Sequence, residues 1–290
     1  PTFDPENPPE IQDGDSRYEG VYLNRFLSAT YTPGSVFKLV TTMAAIETLN
    51  DYESRTYTCT GSTEIGGQTI TCPSAHGDMD IYGALANSCN CFYAQLAVEM
   101  GGKTMWQYAK KAGLLDSLSV SGISTAAGSF TAAAEGSADL GWSGVGQYND
   151  LVNPCAMMTL CGTIANRGTQ VPPRLLLKET TAAGLRTGHS RAEKHSGTLS
   201  SDTCALLASM MRRNVTEHYG QSSFGSLAVC AKSGTAEVGE GQTPHAWFAG
   251  FLRDEDTPYA FVVMVENGGG GNSVAGTVAG KVLDVIVNGY

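Results

Sequence analysis

Ser35 and Lys38 are the residues of this sequence best placed for nucleophilic catalysis. They stand three positions apart at the start of a segment that is apolar on almost every side. On a helix, residues with this spacing share one face, so the lysine amine can reach the serine hydroxyl. Burial lowers the pKa of a lysine, and Lys38 could then accept the proton of Ser35. An S-x-x-K match alone arises by chance in about half of such chains, so it needs support.

Ser88 and Asn90 form an S-x-N element between two segments of helical pattern. A hydroxyl at such a break can pass a proton to a leaving group, and an amide can hold a substrate peptide or the lysine. Serine and asparagine also cap helix ends for purely local reasons. Taken alone, this pair therefore leaves both explanations open.

A third element, Lys232, Ser233, Gly234 and Thr235, lies within a run of β-strand character. Glycine in a strand allows another backbone to approach closely. A lysine and two hydroxyls at this position favour an edge that binds a carboxylate over a solvated charge. S-x-x-K, S-x-N and K-[ST]-G occur in this order along the chain, and their combination is far rarer by chance than any one of them.

Helices are predicted for most of the segments that would position these residues. Residues 33–49 read as a buried helix that begins at Pro33, and residues 80–111 as two or three short helices broken at 88–90 and 101–102. Residues 117–147 are rich in Ser, Gly and Ala and are predicted to be a loop. Asn153 and Pro154 start a helix that extends to about residue 166, and Ser200 or Ser201 starts one that extends to about residue 218.

The C-terminal third changes to strand periodicity. Residues 227–236, 245–253 and 258–266 are predicted to form an antiparallel meander, and residues 273–287 return to helical spacing. Residues 178–197 are polar and are predicted to be a surface excursion. The order of elements favours an α+β fold, in which an antiparallel β-sheet packs against helices and a mainly helical lobe lies beside it.

Composition excludes several functional classes. The chain has 290 residues, of which 42% are hydrophobic and 16% charged, so it can bury a sizeable core. Its formal net charge of −10 argues against a nucleic-acid surface, which would need clustered Lys and Arg. None of the five histidines is placed in a recognisable Ser-His-Asp triad order, which argues against an enzyme of that class.

The eight cysteines leave one question open. Cys59 and Cys72 bracket a predicted hairpin around Gly66 and Gly67, so they could form a disulfide or remain two thiols. Cys89 and Cys91 are two positions apart, a poor spacing for zinc, and no CxxC or HxxxH accompanies them. We therefore expect no metal site and no cofactor.

The three motifs in this order are the signature of penicillin-binding proteins and serine β-lactamases. From about residue 20 to its end, the chain resembles the transpeptidase domain of a class B penicillin-binding protein. Further segments carry the same resemblance: Asn24-Arg25, His76-Gly77, Gly146-Gln147, Asn153-Pro154, residues 164–168 and residues 244–251.

The resemblance implies an activity and catalytic roles. Family members attack the D-Ala-D-Ala end of a peptidoglycan stem peptide, release D-Ala and transfer the acyl group to an acceptor amine. β-Lactams inhibit them covalently. By this resemblance, Ser35 is the nucleophile, Lys38 the base and Ser88 the proton shuttle, while Asn90 positions the lysine and the substrate amide.

The same resemblance assigns the substrate-binding residues. Lys232, Ser233 and Thr235 would bind the substrate carboxylate, and the backbone N–H groups of Ser35 and Thr235 would form an oxyanion hole. Gly234 would leave room for the substrate to lie along the strand. Ser233 stands where threonine is commoner, and it keeps the hydroxyl.

The resemblance also predicts organisation and context. We expect a single transpeptidase domain over 1–290, with the helical lobe mostly within 40–225 and the sheet formed by the N-terminal segment and 226–290. The membrane anchor and N-terminal module of such proteins are expected to be missing here, and the full-length protein is expected to be extracytoplasmic and membrane-anchored. Expected partners are stem peptides, β-lactams and other cell-wall synthesis proteins, with no nucleic acid.

Three alternatives share the acylation chemistry. A class A β-lactamase needs a Glu-x-x-x-Asn loop, but Glu135 is followed by Asp139, and Glu179 and Glu193 lie in polar segments without that context. A class D β-lactamase, which uses a modified lysine, is harder to separate by sequence. A D,D-carboxypeptidase would use water as acceptor, and a β-lactam sensor would be acylated without turnover.

Overall fold

The computed structural model describes residue 4 and residues 6–11, 20–131, 133–189 and 194–289. Its α-helices are α1 (Arg25–Ser28), α2 (Lys38–Thr48), α3 (Ile81–Ala86), α4 (Asn90–Met100), α5 (Gly102–Lys111), α6 (Ala138–Val145), α7 (Pro154–Ala165), α8 (Ser201–Asn214) and α9 (Thr277–Asn288). Two 3₁₀ helices (Gly34–Phe37 and Gln221–Phe224) and two π-helices (Val215–Tyr219 and Gly271–Gly276) extend or join these elements.

The strands are short outside one central sheet. They are β1 (Tyr57–Cys59), β2 (Ser62–Ile65), β3 (Gln68–Thr71), β4 (Gly77–Met79), β5 (Ser119–Val120), β6 (Ile123–Ser124), β7 (Lys178–Thr180), β8 (Arg186–His189), β9 (Val229–Ala236), β10 (His245–Leu252) and β11 (Ala260–Val265). β1–β4, β2–β3, β5–β6 and β7–β8 are two-stranded antiparallel pairs.

The central sheet has the order β11-β10-β9 and is antiparallel throughout. The predicted meander is therefore confirmed, and β9 lies at one edge. Side chains of β10 alternate between two apolar clusters: Trp247 and Phe251 face the helical lobe, whereas Phe248 and Leu252 face α9. Helices thus cover both faces of the sheet, and the predicted α+β class is confirmed.

Helix α2 is the centre of the helical lobe. Its residues from Lys38 to Ala45 are all buried, and α4, α5, α6 and α8 surround it. The predicted buried helix over residues 33–49 is confirmed, although its first turn is the 3₁₀ helix Gly34–Phe37. The predicted breaks at 88–90 and 101–102 are also confirmed, because they separate α3, α4 and α5.

The prediction of a loop over residues 117–147 is wrong at its C-terminal end, where α6 forms. Ser137 caps this helix by accepting a hydrogen bond from the Leu140 N–H. Gly144 has low helix propensity, but a Cβ there would lie 2.2 Å from the Cβ of Ala97 in α4. The small residues that hid the helix in the sequence are the ones that let α6 pack closely on α4.

Other predicted segments are placed as follows. Asn153 caps α7, with Pro154 in its first turn, and Ser200 caps α8, as predicted. The polar excursion contains the exposed hairpin β7–β8. The N-terminal contribution to the sheet stays a prediction: described residues 20–31 form a turn and α1, and residues 12–19 lie outside the described residues. Among the described helices, none is both long and apolar enough to cross a membrane.

Candidate active site

The 3₁₀ turn before α2 holds Ser35 against the sheet. Gly34 has a φ of +54°, and a Cβ there would lie 2.6 Å from the carbonyl oxygen of Thr235 in β9. Its N–H donates to the carbonyl oxygen of Gly146 at 2.8 Å. Only glycine meets both the conformation and the close approach. These contacts keep Ser35 beside β9 at the opening of the site.

Lys38 lies one turn after Ser35 and is completely buried. Its Nζ donates to the Ser88 carbonyl oxygen at 2.6 Å, to Ser88 Oγ at 3.2 Å and to Asn90 Oδ1 at 2.8 Å. The Asn90 amide is fixed in turn by donating to the Thr71 carbonyl oxygen at 3.0 Å. Asn90 thus links the lysine to β3, and its predicted role in positioning Lys38 stays a prediction.

Ser88 has a backbone conformation that is uncommon for a side chain with a Cβ. Its φ of +54° lies in the left-handed region, which costs about 1 kcal/mol or more. This conformation lets Ser88 present both its carbonyl oxygen and its hydroxyl to Lys38. The strained residue is thus the one that the family resemblance predicts to shuttle the proton.

A second buried lysine completes the network. Lys232 Nζ donates to Ser88 Oγ at 2.9 Å and to the Ser233 carbonyl oxygen at 2.9 Å. The Ser88 hydroxyl thus lies between the two lysine nitrogens. Burial lowers the pKa of Lys38 well below its usual value, and the neighbouring charge of Lys232 lowers it further. Burial lowers the pKa of Lys232 to about 7. Because both pKa values are lowered, the two lysines can lose their charge near neutral pH, and a neutral Lys38 can accept a proton.

Strand β9 presents a free edge to this network. The Ser233 N–H donates to the hydroxyl of Tyr219 at 3.1 Å, so it is directed away from β10. Alternate residues of an antiparallel strand direct their N–H groups to the same side. The Thr235 N–H therefore also points to the free edge, where it can donate to a substrate oxygen. Ser35 and Thr235 both line the same cleft.

Gly234 is required for a packing contact within the protein, whereas the family resemblance predicts that it leaves room for the substrate. A Cβ there would lie 3.1 Å from the Pro33 carbonyl oxygen and from the backbone nitrogen of Val36. The glycine therefore lets the 3₁₀ turn that carries Ser35 pack on β9. Room for substrate along the strand stays a prediction.

These residues border a cleft of about 770 Å³. Ser35, Ser88, Asn90, Ser233 and Thr235 line it. The two lysines and Gly234 are buried behind this lining. The structure thus brings all eight residues predicted from the three motifs to one place.

Tyr219 is a residue of the site that the motifs did not identify. It lies in the π-helix that extends α8, and its hydroxyl contacts Ser233 N, Ser233 Oγ and Lys232 Nζ. Burial raises the pKa of Tyr219, so its hydroxyl stays protonated. Its position follows from how α8 packs on β9, and no spacing in the sequence indicates it.

The glutamate considered for a class A β-lactamase serves another purpose. Glu135 Oε1 accepts a hydrogen bond of 3.1 Å from the Gly102 N–H at the start of α5. It therefore caps a helix, and it is absent from the described residues that line the cleft. Glu179 is exposed in β7, and Glu193 lies outside the described residues.

The cysteines are arranged differently from the expectation drawn from Cys89 and Cys91. Cys59 and Cys72 flank the confirmed hairpin β2–β3, and both are free thiols. Together with His76 and Cys89 they form a cluster in which all ligand atoms lie within 4.8 Å of one another. The expectation of no metal site considered only the spacing of neighbouring cysteines along the chain. This cluster joins residues that are distant in sequence, and it could hold a metal ion.

The family model described as the penicillin-binding protein transpeptidase domain matches residues 1–284. The chain is 30% identical over 268 residues to peptidoglycan D,D-transpeptidase PbpA of Mycolicibacterium smegmatis. That match covers 88% of the chain and 53% of PbpA, so the chain spans about half the length of this relative.

Two solved structures share the fold. Penicillin-binding protein A from M. tuberculosis, described as a ceftriaxone acyl-enzyme complex, matches with a TM-score of 0.87 and 22% identity, over 99% of this chain and 69% of that one. The complex between PBP2 and MreC from Helicobacter pylori matches with a TM-score of 0.79 and 22% identity, over 95% of this chain and 53% of that one. At these identities the likeness establishes the fold.

Proposed function

Because this chain belongs to the penicillin-binding protein transpeptidase family, in its class B, we propose that it is a peptidoglycan D,D-transpeptidase. It acylates Ser35 with a stem peptide that ends in D-Ala-D-Ala and transfers the acyl group to an acceptor amine. β-Lactams acylate the same serine. The observation that carries this proposal is the buried network of Lys38, Ser88 and Lys232, which lies one turn from Ser35 at the base of an open cleft.

Acylation begins when Ser35 Oγ attacks the carbonyl carbon of the penultimate D-Ala. Neutral Lys38 takes the serine proton. Its amine is available as a base because burial lowers the pKa of Lys38 and so disfavours the ammonium form. Negative charge then develops on the carbonyl oxygen. The N–H groups of Ser35, in the first turn of a helix, and of Thr235, at the free edge of β9, stabilise this charge.

The leaving group needs a proton when the C–N bond breaks. Ser88 Oγ is hydrogen-bonded to both lysine nitrogens, so it can give its proton to the departing amine and take one from Lys38. The products are free D-Ala and an acyl ester on Ser35. An acceptor amine then attacks the ester, its proton passes to Lys38, and Ser35 leaves with a proton restored.

The substrate lies along the free edge of β9 as an added strand. The hydroxyls of Ser233 and Thr235 face the cleft and can donate to the terminal carboxylate. Lys232 lies directly behind Ser233 and supplies positive charge when protonated. Tyr219 keeps this part of β9 in register by accepting from Ser233.

We extend the proposal to the setting of the whole protein. The chain would form one transpeptidase domain that acts outside the cytoplasmic membrane, and the full-length protein would be anchored in that membrane. Other cell-wall synthesis proteins would be its partners, as MreC is for PBP2 of Helicobacter pylori in the complex that shares this fold. Membrane anchoring and the identity of these partners are parts of the proposal.

A donor substrate tests the reaction class. The chain is incubated with a peptide ending in D-Ala-D-Ala and with a D-amino acid as acceptor, and products are resolved by mass spectrometry. We expect exchange of the terminal D-Ala for the acceptor, and no exchange by Ser35→Ala. Hydrolysis alone would replace the proposal by a D,D-carboxypeptidase. Acylation by a β-lactam without any peptide product would replace it by a sensor.

A further inference from the structure

We propose that Cys59, Cys72, His76 and Cys89 form a tetrahedral Zn²⁺ site immediately behind the Ser88–Asn90 segment. Their three sulfurs and one imidazole nitrogen converge within 4.8 Å. Three cysteines and one histidine are an established ligand set for structural zinc, and thiolates select zinc over harder cations.

The distances from His76 to two of the three sulfurs match such a site. With Zn–S of about 2.3 Å and Zn–N of about 2.0 Å, a tetrahedral angle separates sulfur and nitrogen ligands by about 3.5 Å. His76 Nδ1 lies 3.5 Å from Cys59 Sγ and 3.4 Å from Cys72 Sγ. The imidazole therefore already stands at the ligand–ligand separation that one shared ion requires.

The surrounding hydrogen bonds orient the ligands. The other ring nitrogen of His76, Nε2, lies 3.1 Å from Ser74 Oγ, so a proton on Nε2 leaves Nδ1 free to coordinate. The Asn90 N–H donates to Cys72 Sγ at 3.3 Å, and the Phe92 N–H donates to Cys89 Sγ at 3.4 Å. Cys89 is also the N-cap of α4, so the start of this helix fixes the position of its sulfur. Donors directed at sulfur are the outer contacts expected around bound thiolates.

The ligands come from three separate segments. Cys59 ends β1, Cys72 and His76 follow β3, and Cys89 starts α4. A bound ion would therefore cross-link the β2–β3 hairpin to the helical lobe. A disulfide would use two of these groups and leave a thiol and an imidazole at the same point. Cys72 and His76 line the cleft, which gives an ion a path of entry.

The site bears on catalysis because Cys89 is the middle residue of the S-x-N element. Coordination of Cys89, together with the Asn90 N–H bond to Cys72, would fix the residues on both sides of it, which hold Lys38. This consequence rests on the proposed function, whereas zinc binding itself does not. The two can therefore fail separately.

The test adds Zn²⁺ alone to the reduced chain, removes free metal, and measures zinc per chain by elemental mass spectrometry. We expect one zinc per chain, and a visible absorption band of tetrahedral thiolate-bound Co²⁺ when Co²⁺ replaces it. Cys59→Ala should weaken binding by more than about 100-fold. Cys161→Ala, which removes an equally buried cysteine in α7, should bind as the wild type does.

Two substitutions of His76 separate the loss of a metal ligand from misfolding of the chain. His76→Ala should lose the metal, whereas His76→Cys keeps four ligands and should bind it again. The proposal is overturned if the wild type takes up no zinc, if Cys59→Ala and His76→Ala bind it unchanged, or if a disulfide among these cysteines replaces the ion. Benzylpenicillin should acylate Ser35 faster in the zinc-loaded chain than in the metal-free chain, and equal rates would refute the link to the S-x-N element.

Discussion

Tyr219→Phe isolates one hydrogen-bonding hydroxyl at the edge of the proposed site. The hydroxyl accepts from Ser233 N and lies 3.1 Å from Ser233 Oγ and 3.5 Å from Lys232 Nζ. Phenylalanine keeps the ring, which packs edge-on against Phe248 at a centroid distance of 5.6 Å. The substitution therefore removes the acceptor of a backbone N–H and leaves the packing in place.

The magnitude follows from that unpaired N–H. Leaving a partly buried donor without its acceptor costs about 1–2 kcal/mol. If this loss falls on the conformation of β9 that binds substrate, the second-order rate of acylation by benzylpenicillin should drop about 5- to 30-fold. Stopped-flow or quenched intact-mass kinetics measures this rate directly.

Tyr108→Phe is the matched control. It removes a tyrosine hydroxyl that donates to Glu47 at 3.0 Å, away from the cleft. We expect its acylation rate to stay within about twofold of wild type. The reasoning is refuted if Tyr219→Phe acylates as fast as Tyr108→Phe while losing only stability.

Two further predictions concern stability. Burial raises the pKa of Asp150 to about 8, so the folded chain holds a proton that the unfolded chain releases above its ordinary pKa. Stability should therefore fall as pH rises from about 5 to 8, by up to about 1.4 kcal/mol per pH unit from this group. Asp150→Asn should remove that slope in urea denaturation, and an unchanged slope would contradict the assignment. Gly144→Ala should destabilise by about 2 kcal/mol or more, because its Cβ would overlap Ala97. A midpoint of denaturation equal to that of wild type would show that α4 and α6 can move apart freely.

The sequence predicts the secondary structure of the three motifs better than that of their surroundings. Ser35, Lys38 and the β9 motif are encoded by short spacings, and the helix or strand around each has its own periodic pattern. The antiparallel meander is similarly local, because short connections join its strands. The structure agrees with the predicted helix and strands because each of them depends on neighbours in sequence.

Features that depend on distant packing were not predicted. The helix α6 has Gly141 and Gly144 in its interior, and local propensity disfavours them there; contacts with other elements make them necessary. Tyr219 reaches the site only through the packing of α8 on β9. The ligand atoms around His76 come from separate segments, so no spacing rule could bring them together. In each case tertiary contacts outweigh the local signal.

Intact mass after mixing with benzylpenicillin tests the central claim, that Ser35 is a nucleophile activated by the buried lysine network. The wild-type chain should gain one drug mass that persists for hours, located on the Ser35 peptide, with negligible nitrocefin turnover. Ser35→Ala should gain none, and Lys38→Ala should acylate slower by orders of magnitude. An adduct that persists in Ser35→Ala, or rapid nitrocefin turnover without a lasting adduct, would contradict the account.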